Sequence, residues 1–156
     1  MVHALQTKAA KDTSYIRGAC GISVRVGNYW IQPVGHSRLV VVLDISDPAA
    51  PREAFRLKTP RDFTPHWAAK DPLGNRVIVG AELGGEQGFF MLRLDESNGR
   101  LAFDEDFNGK KKGLVFTSRQ KGYISLHQSP WPHGDTGPAW GHAALFLDKQ
   151  GEATDP

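Results

Sequence analysis

The sequence predicts an all-β fold built from short antiparallel strands, and three observations support this fold class. The apolar segments of the 156-residue chain are short and rich in Val, Ile, Phe and Trp. Gly, Asn, Asp and Pro interrupt these segments, which is typical of strands joined by tight turns. The order of strands and turns also occurs twice along the chain. Helical periodicity is hard to find, so a helical domain is not expected.

The clearest unit of strands and turns spans residues 66–103. Its first turn, "DPLGN", has Pro72 to set φ, and Gly74 and Asn75 are suited to a positive φ. A second turn, "ESNG", precedes the end of the unit. We predict four strands that run up and down in this unit: "HWAAK", "RVIVGA", "FFMLRLD" and "RLAF".

A unit with the same order precedes it, with predicted strands "GISVRV", "YWIQPV", "RLVVVLD" and "EAFRL". Its third strand is apolar on both faces and is therefore expected to be central and buried on both sides. The Gly-Asn turn and the Leu-Asp strand end recur in phase in the two units. A four-stranded unit that repeats every ~40–50 residues is typical of β-propeller blades. An eight-stranded sandwich or barrel is the alternative fold.

The predicted organisation is a partial β-propeller over residues 14–147, or about two and a half blades. Propellers close with more blades than this, so we expect either the C-terminal part of a larger propeller or a chain that assembles with other copies. The fragment is the favoured interpretation. Residues 104–138 are expected to be irregular. The assigned segments are a disordered N-terminus 1–13, blades at about 19–57 and 66–103, a last inner strand 139–147 and a polar tail 148–156.

Composition excludes several classes of function. The net charge of +2 is too small to predict a nucleic-acid partner. The single cysteine, Cys20, excludes an internal disulfide and a multi-cysteine zinc site. No apolar run approaches the ~20 residues of a membrane span, and the N-terminal segment has no apolar signal region. We therefore expect a soluble protein without a membrane partner, and both cytoplasm and periplasm remain open.

Three segments carry a resemblance to a known family: "VVVLDISDPAAPREAFRL", "FTPHWAAKDPLGNRVIV" and "WPHGDTGPAWGHAALF". They resemble the C-terminal part of the selenium-binding-protein-like β-propellers, which include the methanethiol oxidases. The likeness spans roughly residues 18–147. It implies a seven-bladed propeller with a central channel. For the oxidase members it also implies copper and the conversion of methanethiol with oxygen and water to formaldehyde, hydrogen sulfide and hydrogen peroxide. The selenium-linked cysteine of the animal members lies outside the matched part, so Cys20 is not equated with it.

Three histidines form the predicted metal site. Alignment of "PHWAA" with "GHAAL" makes His142 equivalent to His66, so both are expected at the same end of the channel. His133 precedes His142 in a Pro- and Gly-rich loop that can fold over the same mouth. Imidazole donors suit copper or zinc, and a redox role favours copper. We therefore predict that His66, His133 and His142 bind copper, with further ligands coming from other blades.

Each candidate also has a structural alternative. A histidine at a strand start often ties a neighbouring loop carbonyl, and Cys20 is expected to be a small buried residue rather than a metal ligand. Trp67 and Trp140 are expected to pack between blades rather than form a cage for substrate. Asp135 either forms a turn or orients an imidazole. Four further aspartates are expected to accept backbone hydrogen bonds in turns and have no catalytic role: Asp44, Asp47, Asp71 and Asp95.

Three functions follow from these residues. The first is a copper-dependent oxidoreductase that acts on a small thiol such as methanethiol. The second is a non-catalytic scaffold that binds selenium or a protein partner, because a fold by itself does not determine function. The third is a lactonase-like hydrolase, which ranks last because it needs carboxylate ligands where this chain has histidines.

Overall fold

The computed structural model describes residues 21–60, 62–81, 88–107, 122–126 and 141–146. These residues form two antiparallel β-sheets, one of four strands and one of five. None of them belongs to a helix, and accordingly no membrane-spanning helix is found in this part of the chain. The prediction of an all-β chain is confirmed for the described residues.

The first sheet contains four strands in chain order, each antiparallel to the next. The strands are β1 (Val24–Val26), β2 (Tyr29–Val34), β3 (Leu39–Asp44) and β4 (Arg52–Lys58). Gly27 has a φ of 54° in the turn between β1 and β2, a conformation that glycine adopts without steric cost. All four residues between the ends of β3 are buried, as its two apolar faces predict.

The second sheet repeats this order and adds one strand. Its strands are β5 (Pro65–Lys70), β6 (Arg76–Ala81), β7 (Gly88–Asp95), β8 (Arg100–Phe103) and β9 (Tyr123–Ser125). The first half of β7 pairs with β9 and the second half with β8. β9 lies in the stretch expected to be irregular. The short β8 leaves backbone groups of β7 without a partner, and β9 provides one.

The turn aspartates behave as predicted. Each of the four accepts a hydrogen bond from a backbone N–H two residues further on, at 2.9–3.0 Å. The hydroxyl and the N–H of Ser97 both donate to Asp95 and hold the pKa of that carboxyl below its usual value. The positive φ expected at Gly74 or Asn75 is wrong: the turn closes through the Gly74 N–H on the Asp71 carbonyl at 3.3 Å, without such a conformation.

The two sheets pack face to face around one apolar core. The core contains residues of both sheets, for example Ile31 and Val42 from the first and Val79 and Leu92 from the second. Phe63, in the connection between β4 and β5, belongs to the same core and is 1% exposed. Backbone hydrogen bonds also join the sheets through Ile22, beside β5. The two units are therefore one packed body rather than independent hairpins.

One buried carboxylate ties three strands of the second sheet together. Asp104 follows β8, is 2% exposed, and accepts hydrogen bonds from Arg76 Nε at 2.7 Å and from Arg93 at 3.0 Å. Burial alone raises the pKa of the Asp104 carboxyl, but the hydrogen bonds from Arg93 and Arg76 outweigh it and the net shift is downward. The charged form of Asp104 therefore stabilises the folded state.

This ion pair predicts a dependence of stability on pH. Because the folded pKa lies below the unfolded value of about 3.9, the contribution of Asp104 is present above that value and is lost as pH falls through the folded pKa. Urea unfolding of the wild type and of Asp104→Asn should differ most at pH 6 and converge towards pH 2–3. An equal difference between the two proteins at both ends of this range would contradict the prediction.

Candidate metal centre

His66 occupies an irregular position at the start of β5. Pro65 pairs with Ala81 and Trp67 with Gly80, so His66 is the extra residue of a β-bulge. Its carbonyl accepts the N–H of Ile22 at 3.0 Å. A bulge interrupts the alternation of side chains along a strand and can aim one of them in a new direction. The His66 side chain is thus held by backbone geometry at the edge of the second sheet, and it is half-buried.

His142 lies in the described segment 141–146, nine residues after His133 in the sequence. None of these six residues belongs to a strand, and the remainder of the predicted strand 139–147 lies outside the described residues. Ala144 and Phe146 pack against a second apolar cluster on the outer face of the second sheet. That cluster consists of Trp67, Ile78 and Met91 with partly buried neighbours.

The two histidine rings are brought close together. Their centroids are 6.1 Å apart and their planes are inclined by 63°. The residues come from segments far apart in the chain, and they are the two that the alignment of inner strands makes equivalent. His142 is exposed, so the pair is open to a ligand on at least one side.

The other predicted residues are distributed differently. His133, Cys20, Trp140 and Asp135 lie outside the described residues. His36, another histidine of the chain, is in the exposed turn between β2 and β3. Within the ranges that the structure describes, no group of three or more His, Cys, Asp or Glu side chains forms a metal-binding cluster. The described part of the candidate centre is therefore a pair of imidazoles.

Trp67, the residue after His66, contacts the segment that carries His142. It is 2% exposed, and its ring packs edge-on against Phe89 at a centroid distance of 5.3 Å. Its Nε1–H donates a hydrogen bond to the Gly141 carbonyl at 3.2 Å. Trp67 is thus a packing residue, as favoured from the sequence.

Two glycines beside Trp67 were not singled out from the sequence. A Cβ at Gly80 would overlap the indole ring of Trp67, and a Cβ at Gly141 would overlap the ring of Phe89. Glycine inside a strand often marks such a close approach, and "RVIVGA" contains one. That signal could have located the contact, although it could not have identified the tryptophan.

Comparisons of the chain with protein-family models, with curated proteins and with solved structures give no match.

Proposed function

We propose that the chain is part of a β-propeller oxidoreductase that uses copper to oxidise a small thiol such as methanethiol. The pair formed by His66 and His142, with ring centroids 6.1 Å apart, is the single observation that carries this proposal. The choice of copper and of a thiol comes from the resemblance to selenium-binding-protein-like propellers. The choice of these two residues comes from the alignment of their segments and is supported by the distance between their rings.

The spacing of the rings fits two ligands of one metal ion. With metal–nitrogen distances near 2.0–2.1 Å, two imidazoles that each point a ring nitrogen at the same ion have centroids between about 5.2 Å and about 6.4 Å apart for bond angles from tetrahedral to linear. The observed 6.1 Å falls in this interval. Imidazole nitrogen is a good donor for copper, and copper exceeds the other divalent first-row metals in affinity for such ligands. A third ligand is required for a stable site, and His133 is the residue of this chain proposed for it.

The chain's own residues supply position and access. The bulge places His66 as an unpaired residue of the edge strand β5, while the contacts of Trp67 and Phe146 anchor the segment that carries His142. An apolar cluster lies next to both histidines in the chain, because Trp67 follows His66 and Ala144 follows His142 by two residues, and such surroundings suit a substrate with a methyl group. Copper, when bound, would supply the redox chemistry that protein side chains lack.

The packing of the sheets supports a propeller arrangement. Two sheets that share the same order of four strands pack face to face, and Ile22, just before β1, is hydrogen-bonded to the backbone of β5. The outer face of the second sheet receives Ala144 and Phe146, where a third blade would stack. Further blades, from a longer chain or from other copies of this one, would complete the ring and add ligands to the three histidines of this chain.

The proposal predicts how the chain binds copper. The purified chain, titrated with Cu²⁺ and followed by calorimetry and electron paramagnetic resonance, is expected to bind one equivalent with nitrogen hyperfine structure. Mutation of a group that only hydrogen-bonds to a metal ligand commonly lowers metal affinity by about 10–100-fold, and loss of the ligand itself costs at least as much. His66→Ala and His142→Ala should each therefore weaken binding by about 100-fold or more. His36→Ala is the matched control, because His36 lies in an exposed turn, and should bind as the wild type does.

Equal binding by His66→Ala, His142→Ala and His36→Ala would remove the metal site from the proposal. Oxygen uptake driven by methanethiol in the copper-loaded wild type, absent in both pair variants, is the expected activity. Copper binding without such uptake would instead support the scaffold hypothesis. That second function is favoured by one observation, namely that the described residues bring together two donors and no third.

A further inference from the structure

We propose that Trp67 is a positioning residue that holds His142 opposite His66 through the backbone of Gly141. This inference rests on the proposed function only for its copper readout. It concerns a residue that does not reach the metal itself. Trp67 directly follows His66, yet its side chain packs in the apolar cluster on the outer face of the second sheet.

The first step is the fixed placement of the indole. Trp67 belongs to β5 and is 2% exposed. Its indole ring lies against Gly80 of the neighbouring strand β6, where a side chain larger than hydrogen would overlap the ring. Phe89 packs edge-on against the indole ring, with centroids 5.3 Å apart. A flat ring confined by a neighbouring strand and an aromatic side chain has little freedom to turn. Its N–H group therefore points in one direction.

The second step is the capture of the segment that carries His142. The indole Nε1–H donates to the Gly141 carbonyl at 3.2 Å, across 74 residues of sequence. Gly141 also lies so close to Phe89 that a Cβ would overlap the aromatic ring. The donor and the close approach together fix the backbone directly before His142. The described residues 141–146 belong to no strand and therefore have no interstrand backbone hydrogen bonds of a sheet. The hydrogen bond from Trp67 ties this segment to β5 instead.

The third step connects both imidazoles to one short piece of β5. The bulge fixes the backbone of His66. The next residue, Trp67, fixes Gly141, which directly precedes His142. The spacing of the two imidazole rings therefore depends on two adjacent residues of β5. The backbone of this piece is in turn held by Ile22, whose N–H donates to the His66 carbonyl and whose carbonyl accepts the Ala68 N–H at 2.8 Å. The result is a rigid platform for two ligands from distant segments.

The test removes the donor and keeps the ring. In the metal-free wild type, a nuclear Overhauser contact between ring protons of His66 and His142 is expected, because the centroids are 6.1 Å apart. In Trp67→Phe this contact should be lost or strongly reduced, and the dissociation constant for Cu²⁺ should rise by about 10-fold or more, as for the loss of other outer-sphere contacts. Trp30→Phe is the matched control. The Trp30 indole contacts Gln32 on an exposed surface, so both readouts should stay unchanged.

The possible outcomes separate the two proposals. If Trp67→Phe keeps both the ring contact and the copper affinity, the positioning role is overturned. If the wild type binds no copper but the ring contact still depends on Trp67, the proposed function fails and the positioning role stands. If Trp67→Phe does not fold, hydrogen–deuterium exchange of the Trp67 indole N–H in the wild type is the deciding measurement. Slower exchange than at the Trp30 indole supports the hydrogen bond to Gly141. Equally fast exchange overturns the proposal.

Discussion

Replacement of Phe63 by Ala is expected to lower the free energy of unfolding by about 3–5 kcal/mol, the usual cost of emptying a buried phenylalanine site. Phe63 is 1% exposed and contacts the rings of Phe90 at 4.7 Å and Tyr123 at 6.3 Å, both edge-on. Phe63 lies in the connection between the two sheets, and its backbone N–H donates a hydrogen bond to the Pro60 carbonyl at 3.1 Å. Since a small protein has only about 5–15 kcal/mol of stability in total, this change should be close to the limit of folding.

The measurement is urea unfolding followed by fluorescence and by circular dichroism. Both signals should change in one transition, because Phe63 belongs to a core shared by the two sheets. Leu73→Ala is the matched control, since Leu73 is 82% exposed in the β5–β6 turn, and should shift stability by less than about 0.5 kcal/mol. A loss below about 1 kcal/mol for Phe63→Ala, far under the usual range, would contradict the shared core.

Gly80→Ala is expected to cost about 2–3 kcal/mol, although it adds only one methyl group to a strand. The added Cβ would overlap the indole of Trp67, and neither β6 nor the buried ring can yield easily. The displaced indole would also release the Gly141 carbonyl, so the contact between His66 and His142 should weaken with it. Thermal and urea unfolding give the first effect, and the nuclear Overhauser contact between the two imidazoles gives the second.

A double-mutant cycle tests whether the indole is the cause. In a Trp67→Leu background the added methyl group has room, so Gly80→Ala should cost less than about 1 kcal/mol there, which is a coupling of the size seen between contacting residues. Gly74→Ala is the control for glycine replacement alone, because its Cβ would meet only the Asp71 carboxylate, at 3.3 Å. Additive effects of Gly80→Ala and Trp67→Leu would show that the strain lies elsewhere.

Much of the fold could be predicted from the sequence because its signals are local. The Asp-containing turns, the buried β3 and the up-and-down order of the strands each depend on residues within one short segment. β9 could not be predicted in this way. Its three residues carry too short a pattern, and they pair with β7 because β8 ends early.

The candidate site was accessible from the sequence only in part. Register placed His66 and His142 at equivalent positions, and the structure has their rings 6.1 Å apart. The bulge at His66 has no recognisable signal in "TPHWAA". A bulge is defined by the pairing of two strands, here β5 and β6, and not by the residues of one strand alone. A glycine inside "RVIVGA" signalled a close approach at Gly80 but not its partner, and nothing in the sequence signalled the contact of Gly141, because both contacts involve an aromatic ring from another segment.

The sequence by itself determined the class of the elements, their turns and the candidate ligands, because these follow from side-chain periodicity and from residues adjacent in the chain. Only the tertiary structure decided which faces pack, which residue bulges and which distant carbonyl the Trp67 indole binds. These features arise from contacts between segments whose mutual placement depends on the whole core. The sequence thus identifies His66 and His142 as candidates, but the distance and angle between their rings depend on the packing of the sheets.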